Sequence, residues 1–414
     1  MDPSNLCNEL YHIARTHPGQ SFLHHFSDRR VWIVQNPSDT HQILKANAAN
    51  WPKHMAWMRQ TLGPSRMSEN QDAWLFRRQL TQNHFNHYDA SKTVRASRQA
   101  FSEELPHFIA QTAASPLSDH LLRNMTLRIF LDVFLDTNLH ETGIDPEHLF
   151  HLLELSAQYA FVPSGGLTSD ERRHHVSQLN AAKARVMQDL GVFRRPEYAS
   201  KPVIQDMLAA ETSTRGGPDP FVLEQELITL LAAGSETSAS TFGWMCHLLA
   251  QHPDLQKTLR NCDYTSHLLD DFLSETMRLF PANPILSRHA VSNDVFSTGK
   301  VQPGDVALVS LVGLQMQGVS RDNPWQLDLT ASRKLHNRAE SGLGTAFGIG
   351  ERVCGGRLFA ITEMRTLLHE LLQTTVVQRT ANEPLHLSLD MQWCSLMVRR
   401  GGHRVRFQSQ AFPT

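Results

Sequence analysis

The chain has 414 residues, of which 41% are hydrophobic and 19% are charged, and its formal net charge is -2 at pH 7. Lys and Arg are scattered among Asp and Glu, so the sequence lacks the basic stripe that a nucleic-acid partner requires. Residues 1–20 are polar and contain neither an apolar signal core nor a membrane-spanning run. We therefore expect a soluble cytoplasmic protein that binds neither nucleic acid nor a membrane.

The cysteine pattern argues against a disulfide framework or a zinc ribbon. The five cysteines are odd in number and form no CxxC pair. The 23 histidines include no HExxH motif, and pairs such as His148 and His151 are typical of a solvated helix face. The cysteines are Cys7, Cys246, Cys262, Cys354 and Cys394.

The hydrophobic pattern predicts a mainly α-helical fold with a short β-rich opening. Residues 4–16 predict a helix, 20–26 and 30–35 predict two strands, and Pro37-Ser38-Asp39 opens a helix over 37–47. From residue 72 onward the 3.6-residue period dominates. The long helices are predicted over 72–86, 91–112, 117–137, 146–160, 169–190, 219–251 and 265–280.

Strand signals return late in the chain, over 291–304, 306–311, 375–379 and 396–407. No Pro/Gly/Ser-rich linker divides the sequence, so we expect one α+β domain over 1–414 that is mainly α with a small β lobe. Its β-rich parts are expected at about 18–36, 291–311 and 375–407, and its α-rich lobe at about 72–280 and 355–373.

A polar cluster interrupts the apolar helix predicted over 219–251. Ala233-Gly234-Ser235-Glu236-Thr237-Ser238 places a glycine and a buried carboxylate at mid-helix, and both are costly there unless they serve a function. Gly234 would leave room above a flat cofactor, Thr237 can bond back along the helix, and Glu236 can relay protons. The alternative is a plain buried helix with a polar kink.

Glu275 and Arg278 lie three residues apart on a predicted helix and therefore share one face. Any helix can carry such a pair as a surface salt bridge worth under about 1 kcal/mol.

A single cysteine lies among glycines near the C-terminus, in Phe347-Gly348-Ile349-Gly350-Glu351-Arg352-Val353-Cys354-Gly355-Gly356. Glycines allow the backbone to approach a flat macrocycle closely, and the N-terminus of the following helix favours an anionic sulfur. The loop can therefore present one thiolate to an iron. The alternative is a buried structural cysteine in a Gly-rich turn.

The loop resembles the cysteine-ligand signature of the cytochrome P450 superfamily, Phe-x-x-Gly-x-Arg-x-Cys-x-Gly. It matches at Phe347, Gly350, Arg352, Cys354 and Gly356. The mid-helix cluster resembles the distal-helix motif of the same family, Ala/Gly-Gly-x-Asp/Glu-Thr-Thr/Ser, and the lack of an apolar anchor resembles the soluble bacterial type. The resemblance implies haem b between the distal long helix and the cysteine loop, with Cys354 as the axial iron ligand.

The resemblance also implies roles for further residues. Glu236 and Thr237 correspond to the acid-alcohol pair that delivers protons to iron-bound oxygen, and Ala233 and Gly234 to positions against the haem. Glu275 and Arg278 correspond to a structural Glu-x-x-Arg element, whose third member would be Arg333, although the spacing there departs from the family pattern. The expected propionate ligands are Trp74, Arg78, Arg288 and Arg352.

By this resemblance the protein is a monooxygenase that inserts one oxygen atom from O2 into an apolar small molecule, in specialised or secondary metabolism. The chain lacks flavin and nicotinamide motifs, so electrons would come from a ferredoxin or flavodoxin with an NAD(P)H-dependent reductase. The partner would dock on the cysteine-side face at Arg77, Arg352 or Arg357, and the protein would be a monomer. The alternatives are another haem-thiolate chemistry (peroxygenase, isomerase or oxidative coupling) and a non-catalytic haem sensor.

The family layout also predicts a mostly apolar substrate pocket, in which Arg59 and Arg66 would either anchor a substrate carboxylate or face solvent. About half of the apolar residues named for it would be ordinary core on burial preferences. They are Trp51, Met55, Trp57, Met58, Leu62, Tyr159, Phe161, Val162, Ile285, Leu286, Met391 and Trp393.

Overall fold

The computed structural model describes most of the chain. The candidate residues Arg333, Val162 and Trp393 lie outside the described residues, as do the side chains of Phe161 and Met391. None of the described helices combines the length and the apolar composition of a membrane span. The described residues are 6–26, 29–161, 168–217, 219–317, 326–330, 346–380, 389–392, 396–399 and 401–409.

Helices make up most of the described chain, and the long ones begin and end within a few residues of the sequence predictions. A π-helical turn, Gln42–Ala46, continues the second helix and buries Ile43 and Leu44. The helices are α1 (Leu6–Thr16), α2 (Pro37–His41), α3 (Ala56–Thr61), α4 (Gln71–Asn86), α5 (Ala90–Ala114), α6 (Asp119–Leu135), α7 (Leu139–Thr142), α8 (Pro146–Phe161), α9 (Ser169–Leu190), α10 (Pro196–Ala199), α11 (Pro202–Thr214), α12 (Leu223–Gln251), α13 (Pro253–Arg260), α14 (His267–Leu279), α15 (Leu311–Gln315) and α16 (Arg357–Thr374).

The 29-residue helix α12 runs through the core of the α-rich part. It is apolar on nearly every face, which is the pattern of a helix surrounded by protein. Hydrogen bonds join it to neighbouring helices: the Thr126 hydroxyl of α6 donates to the Ser235 backbone carbonyl at 2.9 Å, and the Ser238 hydroxyl donates to the Glu363 carboxyl group of α16 at 2.6 Å. These bonds fix the faces that α12 presents to α6 and α16.

The β-rich part joins the N-terminal hairpin to strands from the second half of the chain. Its main sheet has the order β1-β2-β6-β3, with β2 and β6 parallel and the other pairs antiparallel. Three smaller two-stranded sheets pair β4 with β5, β7 with β10, and β8 with β9. The strands are β1 (Phe22–Phe26), β2 (Arg29–Val34), β3 (Ile285–His289), β4 (Asp294–Phe296), β5 (Gly299–Val301), β6 (Val306–Ser310), β7 (Thr375–Arg379), β8 (Leu389–Gln392), β9 (Leu396–Arg399) and β10 (Val405–Ser409).

The structure corrects two strand predictions. The run 291–304 forms the tight β4–β5 hairpin, in which Phe296 pairs with Gly299, because the Asp39 side chain accepts hydrogen bonds from the Ser297 amide and hydroxyl and holds the turn. The run 396–407 divides into β9 and β10 around Gly401 and Gly402, which both adopt positive φ. Strand β3, which includes Arg288, was not predicted from the sequence.

Trp51 belongs to the core of the β-rich part, so its assignment to the substrate pocket was wrong. Its ring is buried and stacks on Phe296 at a centroid distance of 5.3 Å. Its indole nitrogen donates to Asp294 at 2.8 Å. The indole N–H therefore has its hydrogen-bond partner, and the ring its packing partner, within the protein.

Glu275 and Arg278 form a fully buried, bidentate ion pair rather than a surface salt bridge. Both guanidinium–carboxylate bonds measure 2.7 Å. The pair also holds the 326–328 segment, because Arg278 donates to the Gln326 carbonyl at 3.1 Å and Glu275 accepts from the Asp328 amide at 2.8 Å. This geometry agrees with a structural role. The single domain over 1–414 stays a prediction.

Candidate functional site

The cysteine loop turns sharply and ends at the N-terminus of α16. Gly348 and Gly350 both have φ of +74°, and a Cβ atom at Gly350 would overlap the Leu44 carbonyl oxygen. The loop closes on itself through a 2.9 Å hydrogen bond from the Cys354 amide to the Phe347 carbonyl. Cys354 is exposed, whereas Cys7 and Cys246 are buried. The backbone therefore presents this thiol outward from a tightly packed turn.

Cationic groups surround the Cys354 thiol. The side chain is exposed to solvent on one side, but protein encloses its other sides, and this desolvation raises the pKa of the thiol. The Gly356 amide, Arg66, Arg357 and Arg78 act in the opposite direction because they favour the thiolate. The electrostatic setting thus becomes favourable to a thiolate once an additional cation, such as a metal ion, reaches the sulfur.

The middle of α12 has one accessible face. Between Glu226 and Ala250 the three positions that are not buried are Ala233, Gly234 and Thr237, in a helix that the structure describes completely. They lie together because residues three and four apart share a helix face. The Thr237 hydroxyl donates to the Ala233 carbonyl at 2.9 Å, as its position in the motif predicted.

Gly234 is required by helix packing. A Cβ atom at this position would overlap the ring of Phe130 on α6. The space expected above a flat cofactor is therefore occupied on this side by Phe130, which corrects the predicted reason for the glycine. Ala233 and Thr237 carry the accessible surface beside it.

Glu236 points into the protein, against α6. Its side chain is 1% exposed, and its carboxylate oxygen Oε2 lies 3.3 Å from Nε of Arg123. Burial raises the pKa of Glu236 to about 7, and Arg123 partly opposes this shift. A carboxyl group with a pKa near neutrality can both take up and release a proton at physiological pH.

Trp74, Arg78 and Arg352 form one cluster, although they come from α4 and from the cysteine loop. The Arg352 guanidinium carbon lies 4.1 Å from the Trp74 ring centroid, and that of Arg78 lies 5.3 Å from it. Nη1 of Arg352 is buried and has no hydrogen-bond partner among the described residues. Burial lowers the pKa of Arg352, and Arg78 adds to this effect.

Arg288 and Lys53 extend this cluster of positive charge, and Lys53 was missed in the sequence analysis. Residues 53 and 288 face each other in an isolated antiparallel bridge. Burial lowers the pKa of Arg288 to about 10, and repulsion from Arg352 adds to the shift. The pKa of Lys53 is also lowered, by burial first and then by Arg352, Arg288 and Arg66. No sequence motif marked Lys53, because only pairing with β3 brings it here.

The described residues fit a flat metal cofactor that carries two carboxylates. Cations with little access to solvent are costly unless anions neutralise them. Lys53, Arg288 and Arg352 lie together, and Nη1 of Arg352 has no hydrogen-bond partner among the described residues. One exposed thiol and one accessible face on a buried helix provide a ligand and a second surface. Haem b, with its iron and two propionates, has these properties.

A family profile described as "Cytochrome P450" matches residues 3–262 and 265–402. The chain belongs to the cytochrome P450 family. The cofactor of this family is haem b, so Cys354 is the residue that would ligate iron, and Arg78, Arg288, Arg352, Trp74 and Lys53 are those that would hold the propionates.

Known cytochromes P450 resemble this chain at the level of sequence and of fold. Cytochrome P450 144 of Mycobacterium tuberculosis is 29% identical over 208 residues, which cover 50% of this chain and 46% of that protein. Pentalenene oxygenase of Streptomyces avermitilis is 27% identical over 197 residues, which cover 44% of this chain and 43% of the relative. The chain spans less than half the length of these curated relatives.

Solved structures cover nearly the whole chain. The haem domain of cytochrome P450DA superposes with a TM-score of 0.80 at 15% identity, covering 100% of this chain and 96% of that chain. A cytochrome P450 from Thermus thermophilus gives a TM-score of 0.73 at 20% identity, with 98% and 95% covered. At these identities the likeness concerns the fold, and it confirms the predicted mainly α architecture with a small β lobe.

The structure overturns two hypotheses about arginines. Arg66 is buried and donates to Thr81 at 2.7 Å and to Gln82 at 2.6 Å, next to Gly355 on the cysteine side, so it is not placed to anchor a substrate carboxylate. Arg77 is buried and pairs with Glu226 at 2.9 Å, so it cannot steer a protein partner.

Arg59 has an accessible guanidinium but already pairs with Glu69 and with Asp219, so its charge is compensated within the protein. Arg357 is exposed, as the docking hypothesis requires. The guanidinium of Arg352 instead packs against the Trp74 ring.

Proposed function

We propose that this protein is a haem-thiolate monooxygenase that inserts one oxygen atom from O2 into an apolar small organic substrate. The observation that carries the proposal is the arrangement on α12. Thr237 presents a hydroxyl on the accessible face, while the adjacent Glu236 is a buried acid whose pKa lies near 7. An oxygenase needs such a pair because it must supply protons to a dry site.

Each residue of the site would have a separate task. When bound, haem b would supply the redox chemistry that activates dioxygen, with the thiolate of Cys354 as a strongly electron-donating ligand. Lys53, Arg78, Arg288 and Arg352 would bind and orient the cofactor through its propionates. Thr237 would donate a hydrogen bond above the accessible face, and Glu236 would take up and release protons behind it.

The acid-alcohol pair also separates this function from the alternatives. A peroxide-driven enzyme or an isomerase needs no proton relay to dioxygen, and neither does a haem sensor. Glu236 in particular is retained at the cost of burying a carboxyl group. This cost favours the dioxygen route.

The substrate and the pathway are proposed at the level of chemical class. The pocket residues Met58 and Leu62 are buried and apolar, which favours an apolar substrate. Two relatives are named for oxygenation of small organic molecules: pentalenene oxygenase, and the methyltetrahydroprotoberberine 14-monooxygenase of Papaver somniferum, which is 30% identical over 197 residues. We accordingly propose a place in specialised or secondary metabolism.

Electrons would reach the cofactor from a ferredoxin or flavodoxin reduced by an NAD(P)H-dependent reductase. Docking on the cysteine side would use the exposed Arg357 together with two exposed apolar side chains, Leu358 of α16 and Leu75 of α4. One cation beside apolar surface suits a partner with a small acidic patch. A cytoplasmic location and a monomeric state stay predictions from the sequence.

The carbon monoxide difference spectrum of the dithionite-reduced, haem-loaded protein tests this function. We expect the thiolate-shifted Soret band in the wild type and its loss in Cys354→Ser. The matched control is Cys262→Ser, which removes a half-buried thiol far along the chain and should leave the band unchanged. A histidine-type band in the wild type would contradict the proposal, and so would a thiolate band that survives Cys354→Ser.

A further inference from the structure

His54 and His289 form a histidine pair behind the cationic cluster. The isolated antiparallel bridge joins Lys53 to Arg288, and successive side chains of an extended strand point to opposite faces. Backbone hydrogen bonds flank the bridge on both sides, at 3.3 Å from the His54 amide and at 3.1 Å from the His289 amide. The two histidines therefore lie diagonally across the bridge, on the face turned away from Lys53 and Arg288.

The two imidazole rings are close enough to share one metal ion. Their centroids lie 5.8 Å apart, and the ring planes are inclined by 66°. Metal–nitrogen bonds of about 2.0–2.1 Å place the centroids of two ligating imidazoles about 5–6 Å apart. The backbone already holds His54 and His289 at this separation, and both side chains are half-buried, so solvent reaches the pair.

One ring nitrogen of the pair has no partner. Nδ1 of His289 is buried and makes no hydrogen bond to a described residue. Its neighbours explain this: His289 pairs with Val306, which packs with Ile13 and Val31 in a small apolar cluster. A buried nitrogen without a partner destabilises the fold, and a ligand bound between the two rings would offset that cost.

The electrostatic setting keeps the imidazoles neutral, which is the form that binds metal ions. Burial lowers the pKa of His289. Burial also lowers the pKa of His54, and the neighbouring His289 and Arg29 add to the shift. Arg29 is an exposed residue of β2, and it would repel a bound cation as it repels a protonated imidazole.

We propose that His54 and His289 bind a late first-row divalent metal ion such as Zn²⁺. Two imidazoles favour Zn²⁺, Ni²⁺ or Cu²⁺ over Mg²⁺ and Ca²⁺, which prefer oxygen ligands. Among the described residues no group of three or more His, Cys, Asp or Glu side chains is arranged around a metal ion. Water or a small anion therefore completes the coordination, and an anion is favoured because Arg29 is close.

The bound ion joins residues 52–54 to β3. It holds the bridge between Lys53 and Arg288 and so keeps these two cations side by side on the opposite face. The metal site itself does not depend on haem, whereas its effect on cofactor retention rests on the function proposed above. The alternative is an ordinary half-buried contact between two rings, which would contribute to stability without responding to metal ions.

The test is a calorimetric titration of the haem-loaded protein with Zn²⁺ in a buffer that does not chelate metals. His54→Gln and His289→Gln should each weaken Zn²⁺ binding about tenfold or more, because loss of an outer-shell partner alone costs about 10- to 100-fold. Arg29→Gln should strengthen binding, because it removes a repelling charge. His25→Gln is the matched control, since His25 is an exposed histidine of β1 in the same sheet, and it should change nothing.

The second readout is hydrogen exchange at the bridge. Zn²⁺ should slow exchange of the His54 and His289 amides in the wild type, because the ion resists local opening of the two backbone bonds. It should also slow haem transfer to apomyoglobin, and neither effect should remain in His289→Gln. Unchanged exchange would overturn the joining of 52–54 to β3, and unchanged haem transfer would overturn the link to Lys53 and Arg288.

Equal Zn²⁺ affinity in the wild type and in either His54→Gln or His289→Gln would overturn the metal site, as would an equal loss in His25→Gln. If His289→Gln does not fold, His54→Gln and Arg29→Gln decide the question, since both change residues in contact with solvent. Failure of the oxygenase function is recognised separately, by the absence of a thiolate Soret band while Zn²⁺ binding persists.

Discussion

Positive charge is concentrated at one edge of the site, where the buried Arg288 lies beside the half-buried Lys53 and Arg352. The lowered pKa values of all three show that each suffers from burial and from its neighbours. Such a cluster is unfavourable alone and becomes favourable when two carboxylates bind between the cations. Cofactor binding and protein stability should therefore respond in opposite directions to loss of one of these charges.

Arg288→Met tests this opposition. We expect haem to transfer to apomyoglobin about tenfold faster or more, because a charge-assisted hydrogen bond is worth about 1.5–3 kcal/mol. The haem-free variant should melt at a higher temperature than haem-free wild type, because repulsion from Arg352 is relieved. Arg98→Met, which removes a half-exposed arginine paired with Glu370, serves as the control. Equal haem retention in wild type and Arg288→Met would contradict the assignment.

Thr237 is the residue whose hydroxyl lies on the accessible face of α12. In Thr237→Ala we expect NAD(P)H and O2 consumption to continue while the yield of oxygenated product falls at least about tenfold and hydrogen peroxide appears instead, because general acid catalysis contributes about 10²- to 10⁴-fold. Thr241→Ala is the matched control, since Thr241 makes the same backbone bond one turn later and is buried. Fully coupled turnover in Thr237→Ala would remove Thr237 from the reaction.

At the scale of elements, the approach of α6 to α12 depends on Gly234. The Phe130 ring occupies the position of its missing Cβ, and Thr126 bonds to the Ser235 carbonyl one residue further along α12. A glycine at mid-helix costs about 1 kcal/mol of stability relative to alanine, so the close contact must stabilise the fold by more than this. The contact also brings Arg123 of α6 to the face of α12 that carries Glu236.

Gly234→Ala should destabilise the protein by about 1–3 kcal/mol despite its better helix propensity, because the added methyl group overpacks a tight contact. The loss should be smaller in a Phe130→Leu background, which a double-mutant cycle of unfolding free energies measures. Gly191→Ala, where a Cβ atom meets nothing within 4 Å, is the neutral control. Additive effects of the two substitutions would show that Phe130 does not restrict position 234.

At the scale of the whole molecule, buried acids and bases limit stability from both sides of neutral pH. Burial raises the pKa of Glu363 to about 8, so the folded chain retains a proton that the unfolded chain loses near the ordinary glutamate pKa of 4.5. Stability is therefore lost as the pH rises through that window. Burial lowers the pKa of His247 to about 3, so stability is lost as the pH falls below about 6.5, where unfolded histidine becomes protonated.

Glu363→Gln isolates the alkaline contribution. The unfolding free energy of this variant relative to wild type should increase between pH 5 and pH 8, by at most about 1.4 kcal/mol per pH unit. Glu370→Gln, on the same helix but partly exposed, should show a flat difference. A flat difference for Glu363→Gln as well would mean that this carboxyl group is ionised in the folded protein.

The sequence predicted most of what depends on local pattern. Helical periodicity gave the bounds of α4, α5, α9 and α12 to within a few residues, because each is long and its apolar positions repeat regularly. The strand prediction failed at β3 and over 291–304. The strands there are short, and their pairing with β6, or with each other, decides the structure.

For the site, the sequence by itself determined the family and predicted the cysteine and the acid-alcohol pair, because these residues follow one another at fixed spacing within one loop or one helix turn. Only the tertiary structure decided that Lys53 lies beside Arg288 and Arg352, that Arg66 and Arg77 are buried, and that Arg123 faces Glu236. Those contacts join residues from different elements. Burial and pairing across such distances depend on how helices and sheets pack, which no local pattern of residues specifies.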